Sequence, residues 1–131
     1  MRIRCIANTL TEEQRGLLGF PAWQNPLFQI TPGREYTVLG VTATPNYISG
    51  AVVQLANDAS VCIFVPICLF EITDPRPSRY WRAELYNIHT LRLWPSEFLK
   101  EYFHDDLSDG INGTREVFLE VEKKLSHEFS D

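Results

Sequence analysis

The sequence predicts an α+β domain, and three observations carry that reading. Short stretches with strand-like alternation follow one another closely from Glu35 to Trp94, apolar residues at helical spacing take over after Pro95, and a short capped helix stands near the N-terminus. A chain of 131 residues, 44% apolar and 12% aromatic, has the size and the material for one core, so a single domain spanning residues 1–131 is expected.

Ile3 and Cys5 alternate with Arg2 and Arg4, which suits a half-buried opening strand. Thr11, with Gln14 three positions on, has the capping-box pattern, and Gly19 stops the helix that follows. Phe20 to Pro32 sets Pro21, Pro26 and Pro32 among Trp23, Leu27, Phe28 and Ile30, an irregular segment pinned down by its aromatics. Glu35 to Thr42 reads as one strand, with Tyr36, Val38 and Gly40 alternating with Thr37, Leu39 and Val41. Pro45-Asn46 supplies a turn, Ala51 to Ala56 a strand, Asn57-Asp58 a hairpin turn and Ser60 to Val65 the next strand. Pro66 marks an edge, a bulge or a boundary. Leu69 to Thr73 is extended again before the loop from Asp74 to Ser78, and Tyr80 to Leu85 and Thr90 to Trp94 complete the set. So many short strands at close spacing argue for a strongly bent antiparallel sheet or a small barrel.

The last third reads as helical. Pro95 suits a first helical position, and Phe98, Leu99, Tyr102 and Phe103 form i,i+4 pairs on one face. After the loop from Ser108 to Gly113, Thr114 caps a helix to about Phe129 with Phe118, Val121, Leu125 and Phe129 as its apolar stripe. Both C-terminal helices need a partner surface, and the sheet is the large one on offer.

Composition removes several classes of function. The longest apolar run, Val61 to Phe70, is interrupted by Pro66 and falls well short of the ~20 residues of a membrane helix. Arg2 and Arg4 stand where a signal peptide's apolar stretch would begin, and Glu12 and Glu13 follow, so a cytoplasmic protein is expected. Cys5, Cys62 and Cys68 are read as reduced, partly buried thiols, because their number is odd and the chain is large enough to need no staples. The Asn112-Gly113-Thr114 sequon marks a surface loop and no more.

Charge is the most informative feature. Residues 1–96 hold eight basic and seven acidic side chains, whereas residues 97–131 hold four basic and ten acidic, so the formal charge of -5 resides in the helical end. On a continuous helix Glu97, Glu101 and Asp105 would share one side, away from Phe98 and Phe103. Such a face can simply be solvated and keep the protein soluble. It can equally be a docking surface for a basic partner, because like charges on a rigid face speed association and suppress wrong partners.

The residues that could carry chemistry are few. His104-Asp105-Asp106 has metal-ligating side chains, but neighbours on a helix point about 100° apart, and His89 and His127 show no complementary spacing. Leu107 stands where an EF-hand loop from Asp105 needs its third-position oxygen, so no metal and no cofactor is expected. A cysteine nucleophile meeting His89 or His104 in space stays open, although all three cysteines sit in apolar surroundings that favour burial. No phosphate-binding glycine loop and no nucleophile-elbow motif occurs. Arg76 to Arg82 interleaves arginines with Tyr80 and Trp81, a pattern that could read single-stranded nucleic acid or a peptide. An acidic chain repels phosphates, so pairing with the acidic helices or a protein interface fits these residues better.

Gly33-Arg34-Glu35-Tyr36-Thr37-Val38-Leu39-Gly40, with Leu69-Phe70-Glu71-Ile72-Thr73-Asp74, resembles the opening and closing strands of an SH3-like barrel. With the Trp94-Pro95-Ser96-Glu97-Phe98 closure, the layout over residues 33–106 is similar to that of small bacterial immunity proteins that neutralise polymorphic or contact-dependent toxins. Each immunity protein fits its own toxin, so the resemblance transfers no functional residue. It implies an SH3-like barrel, a protein partner and no catalytic residues or cofactor. A basic toxin, a nuclease for example, would be met by an acidic surface, for which Glu97, Glu101, Asp105, Asp106 and Asp109 are the expected contacts and Arg79, Tyr80 and Trp81 a second patch. The alternatives are a small enzyme or ligand-binding domain using His104 or His89 with carboxylates, and a nucleic-acid or peptide reader using Arg76 to Arg82.

Overall fold

The computed structural model describes residues 1–45 and 50–129. In chain order its elements are β1 (Arg2–Cys5), α1 (Glu12–Leu18), β2 (Glu35–Thr37), β3 (Gly40–Thr44), β4 (Gly50–Ala56), β5 (Cys62–Pro66), β6 (Phe70–Asp74), β7 (Trp81–Tyr86), β8 (Thr90–Pro95), α2 (Phe103–Asp109) and α3 (Thr114–His127). Single 3-10 turns, Ile67–Leu69 and Ser96–Leu99, follow β5 and β8. The α+β expectation holds. The strands, however, form two antiparallel sheets instead of one closed barrel, ordered β2-β1-β6 and β5-β4-β3-β8-β7.

The division falls between Thr37 and Gly40, inside the segment expected to be one strand. Val38 and Leu39 are both fully buried, but in different cores, as alternate side chains of an extended chain must be when both faces are covered. Val38 N–H donates to Met1 O in the smaller sheet, and Leu39 N–H donates to Gln54 O in the larger, so the backbone changes sheets between them. Ile3, Tyr36, Val53, Leu55, Val65 and Phe70 lie in the core shared by the two sheets. Leu39, Trp94, Phe98, Phe103, Phe118, Val121 and Leu125 form the core between the larger sheet and the helices.

Local signals set the element ends. Thr11 and Gln14 form the full capping box, and Gly19 closes α1 in the left-handed conformation. Asn57 holds the turn before β5 by accepting hydrogen bonds from the Ala59 and Val61 N–H groups. Pro66 ends β5, an edge strand, where its missing donor is tolerated. In the irregular stretch Phe20 and Ile30 are buried, whereas Trp23 and Leu27 are exposed, so these two do not pin it. Asp58 does: its carboxylate accepts from Thr31 Oγ1 at 2.6 Å, Tyr36 OH at 2.6 Å and Arg34 Nη1 at 2.7 Å. Of the expected Pro45-Asn46 turn, Asn46 lies outside the described residues.

The helical end departs most from expectation. Pro95 closes β8 with extended backbone instead of opening a helix, and the chain then passes through the 3-10 turn and a left-handed Tyr102 before α2 begins at Phe103. Phe98 and Phe103 stack with centroids 4.9 Å apart, but Tyr102 is exposed, so the expected i,i+4 pairing on one helix does not form. Gly113, not Thr114, is the N-cap of α3; Thr114 Oγ1 instead donates to Ile111 O at 2.7 Å. Phe118, Val121 and Leu125 are buried as the stripe requires, but α3 ends at His127, so Phe129 falls beyond it, half-buried under the Arg76 guanidinium at 4.1 Å.

Candidate functional site

Antiparallel register sets Trp94, Gly40, Gln54 and Phe64 side by side across β8, β3, β4 and β5, on the face that the helices cover. Gly40 leaves a hollow in this row. A Cβ there would lie 2.9 Å from Gln54 Nε2 and 3.0 Å from Trp94 Cδ1. His104 of α2 packs onto the row, with centroids 4.9 Å from Trp94, 5.4 Å from Phe64 and 5.6 Å from Phe98, and its Nε2 is 2.7 Å from Gln54 Oε1. An amide oxygen can only accept, so Nε2 carries the proton. Burial first, and the Arg92 charge second, push the His104 pKa down to about 4, against the opposing pull of Asp105. The imidazole is therefore neutral at pH 7.

His104 separates two clefts. One, of about 340 Å³, lies between β5 and the helices and is lined by Val61, Cys62, Phe64, Leu107, Ser108 and Arg115. Burial pushes the Cys62 thiol up to about 12, which makes it a poor nucleophile. The other, of about 410 Å³, runs between Tyr86, Arg92 and Trp94 on the sheet and the Lys100–Asp105 stretch. There the Arg92 guanidinium lies 3.6 Å from the Tyr86 ring centre and 4.4 Å from that of Trp94, and Nη1 donates to Glu84 at 3.2 Å. Among the described residues no carboxylate bonds to His104. His89 is exposed at the β7–β8 turn, far in sequence from the first cleft and absent from its lining. Among the described residues no three His, Cys, Asp or Glu side chains group as metal ligands would.

The acidic residues expected as contacts divide by environment. With the helix interrupted at Lys100–Tyr102, Glu97, Glu101 and Asp105 do not share one helical side. Glu101, Asp105 and Asp109 are exposed, and the last two lie four apart on α2, on one side of it. Glu97 sits in the 3-10 turn, where Lys124 Nζ donates to it at 3.0 Å. Burial, the largest single influence, opposes its charge, but the Lys124 hydrogen bond, a hydrogen bond from its own backbone, the Lys124 charge and the Ser96 hydroxyl together outweigh it and hold its pKa below the usual value. Asp106 accepts from Asn112 Nδ2 at 3.1 Å. Glu97 and Asp106 nevertheless line one cleft of about 350 Å³, with Phe103 and Val117 as apolar wall, Lys100 at its rim and Ser96, Asn112 and Thr114 beside it.

The second expected patch is less free. Trp81 is half-buried between the two cores and its Nε1 donates to Leu39 O at 3.0 Å, so it braces the sheet crossing. Tyr80 lies under Lys124 Nζ at 4.5 Å, and the Arg79 N–H donates to Glu128 Oε2 at 3.2 Å. Arg76 is held by Asp74 through Nε and Nη2. Pairing with the acidic helical end is thus seen at Arg79 with Glu128, whereas Arg76 pairs within its own loop and Arg82 Nη1 donates to the backbone O of Trp81 at 3.2 Å.

Sequence reasoning missed Gln54, Gly40 and Arg92. One signal was available: Gln54 is the one polar residue between Ala51 and Ala56, and a polar side chain inside a strand buried on both faces needs a specific partner. No helix of the described residues is long and apolar enough to cross a membrane. No protein-family model, no curated protein and no solved structure matches the chain.

Proposed function

We propose that the protein is a non-catalytic interaction protein that binds a basic protein partner through the surface built by the 3-10 turn Ser96–Leu99, α2 and the start of α3. The observation that carries this reading is the cleft between Glu97 and Asp106. Two carboxylates there face an apolar wall of Phe103 and Val117, a combination suited to the aliphatic stem and cationic head of a partner's Lys or Arg. Glu101, Asp105 and Asp109 are exposed on the adjoining stretch, the first two along the neighbouring cleft, and their charge would steer a basic partner.

Toxin neutralisation is the specific form we favour, in line with the resemblance to immunity proteins; in that reading the two sheets are an opened version of the SH3-like layout. A nuclease toxin, with its basic active site, supplies the complementary charge. The catalytic alternative has less support, because His104 is neutral and bonded to an amide, with no carboxylate bonded to it among the described residues.

The deciding experiment is a low-salt pull-down from source-cell lysate with the full chain and with Glu101→Lys/Asp105→Lys as control. A stoichiometric basic partner, lost in the control and released by about 0.5 M salt, supports the reading. Capture that is equal in both chains or indifferent to salt overturns the acidic interface.

A further inference from the structure

We infer that β7 is a self-association edge, along which two copies of this chain pair antiparallel about a two-fold axis at Ala83 and join their five-stranded sheets. β7 ends that sheet, and among the described residues it pairs with β8 alone. Its six residues run from Trp81 opposite Pro95 to Tyr86 opposite Thr90 without a register shift, and it contains no proline. The bulges and prolines that usually protect an edge strand are missing from it. At the opposite edge β5 ends in Pro66, and Arg115 from α3 reaches over its approach to donate to Ser60 O.

The sequence of β7 matches itself when reversed. With the axis at Ala83, each residue faces the one equally far on the other side, so Arg82 meets Glu84 of the second copy and Glu84 meets its Arg82. Leu85 meets Trp81 on the opposite face, and the small Ala83 meets itself. Charges of opposite sign two residues apart attract a second copy, whereas like charges would repel one. Leu85 is 67% exposed and Ile88, at the adjoining turn, 79%, so apolar surface remains for the partner to cover. The contacts of this interface come from β7, whereas the acidic surface is built by the Ser96–Leu99 turn, α2 and the start of α3; the two adjoin at the cleft where Tyr86 and Arg92 face Glu101 and Asp105, so the test uses variants of β7 alone.

Sedimentation equilibrium of the full chain tests it. The wild type should approach twice the 15.1 kDa chain mass as concentration rises. Arg82→Glu and Glu84→Arg should each stay at the monomer mass, because each sets like charges against like across the axis. An equimolar mixture of the two variants should recover the doubled mass, since one brings two carboxylates and the other two guanidinium groups. If Glu84→Arg, which crowds Arg92, loses its far-UV spectrum, Leu85→Lys decides, and a monomer supports the pairing. A monomeric wild type, as expected were the edge kept for a strand of another protein, overturns the proposal. So does a dimer untouched by Arg82→Glu or Leu85→Lys.

Discussion

His104 Nε2 and Gln54 Oε1 meet at 2.7 Å above the backbone of Gly40, inside a ring of aromatic side chains. The contact ties α2 to β4, the strand between β3 and β5, across fifty positions of sequence. It also makes helix docking depend on the protonation state of one imidazole.

That dependence has a defined sign. The His104 pKa is pushed down to about 4, from the ordinary value near 6.5 that the unfolded chain restores. Between these values the unfolded state binds the extra proton, so stability is full above about pH 6.5 and declines as the pH falls towards 4. After allowance for the partial exposure of the ring, the loss is about 2 kcal/mol. Urea unfolding across this range should show the decline in the wild type and a flat profile in His104→Phe, which keeps the aromatic packing.

The same pair should behave non-additively. His104→Phe deprives Gln54 of its strongest partner, leaving Cys62 Sγ at 3.8 Å, and Gln54→Leu strands the imidazole N–H. Each change leaves a buried polar group unmet and should cost about 1–3 kcal/mol at neutral pH. The double variant leaves neither, so it should be more stable than the sum of the singles by about 1 kcal/mol or more. Chemical denaturation of the four chains gives the coupling.

Gly40 is needed for space, not for backbone freedom. Its added Cβ would meet Gln54 Nε2 at 2.9 Å, Trp94 Cδ1 at 3.0 Å and the backbone Leu93 O at 3.3 Å. Neither side chain can swing away without losing a contact. The Trp94 indole is fixed by its Nε1 bond to Thr42 Oγ1 at 2.9 Å, and Gln54 by His104. Gly40→Ala should cost about 1–3 kcal/mol in thermal unfolding. In His104→Phe/Gln54→Leu part of that cost should disappear, because the amide that the methyl strikes is gone.

Much of this fold was legible because its signals are local. The capping box of Thr11 and Gln14, the Asn57 turn and the Phe118, Val121, Leu125 stripe each act within a few residues of where they are read. The sheet division was not legible, since Val38 and Leu39 alternate in the same way whether their two faces belong to one sheet or to two. Pro95 misled for a related reason: its fixed φ suits a helix start and a strand end alike, and the stacking of Phe98 on Phe103 decides the path of the chain beyond it. At the candidate site the acidic residues were visible as charge. Their division into exposed Glu101, Asp105 and Asp109 and partnered Glu97 and Asp106 rests on Lys124, 27 positions from Glu97, and on Asn112, six from Asp106 across the turn between α2 and α3.

Tyr36 and Asp58 give a second, separable acid response. Hydrogen bonds from Thr31 first and Tyr36 next hold the Asp58 pKa below its usual value, with Arg34 adding its charge. A depressed carboxylate stabilises the fold above the unfolded value near 3.9 and loses that contribution as the pH falls below it. This window lies under that of His104, so acid unfolding should have two limbs. Tyr36→Phe removes the donor to Asp58 and the acceptor for the Thr31 N–H at 2.8 Å, so it should cost about 1–2 kcal/mol at neutral pH, or about 3–8 °C in Tm. It should weaken only the lower limb, and His104→Phe only the upper. The loosening should be local, with faster hydrogen exchange over residues 20–34, the stretch that Asp58 ties to the β4–β5 turn, and unchanged protection in α3. Equal acceleration in α3 would mean that the Asp58 cluster supports the whole fold and not this segment alone.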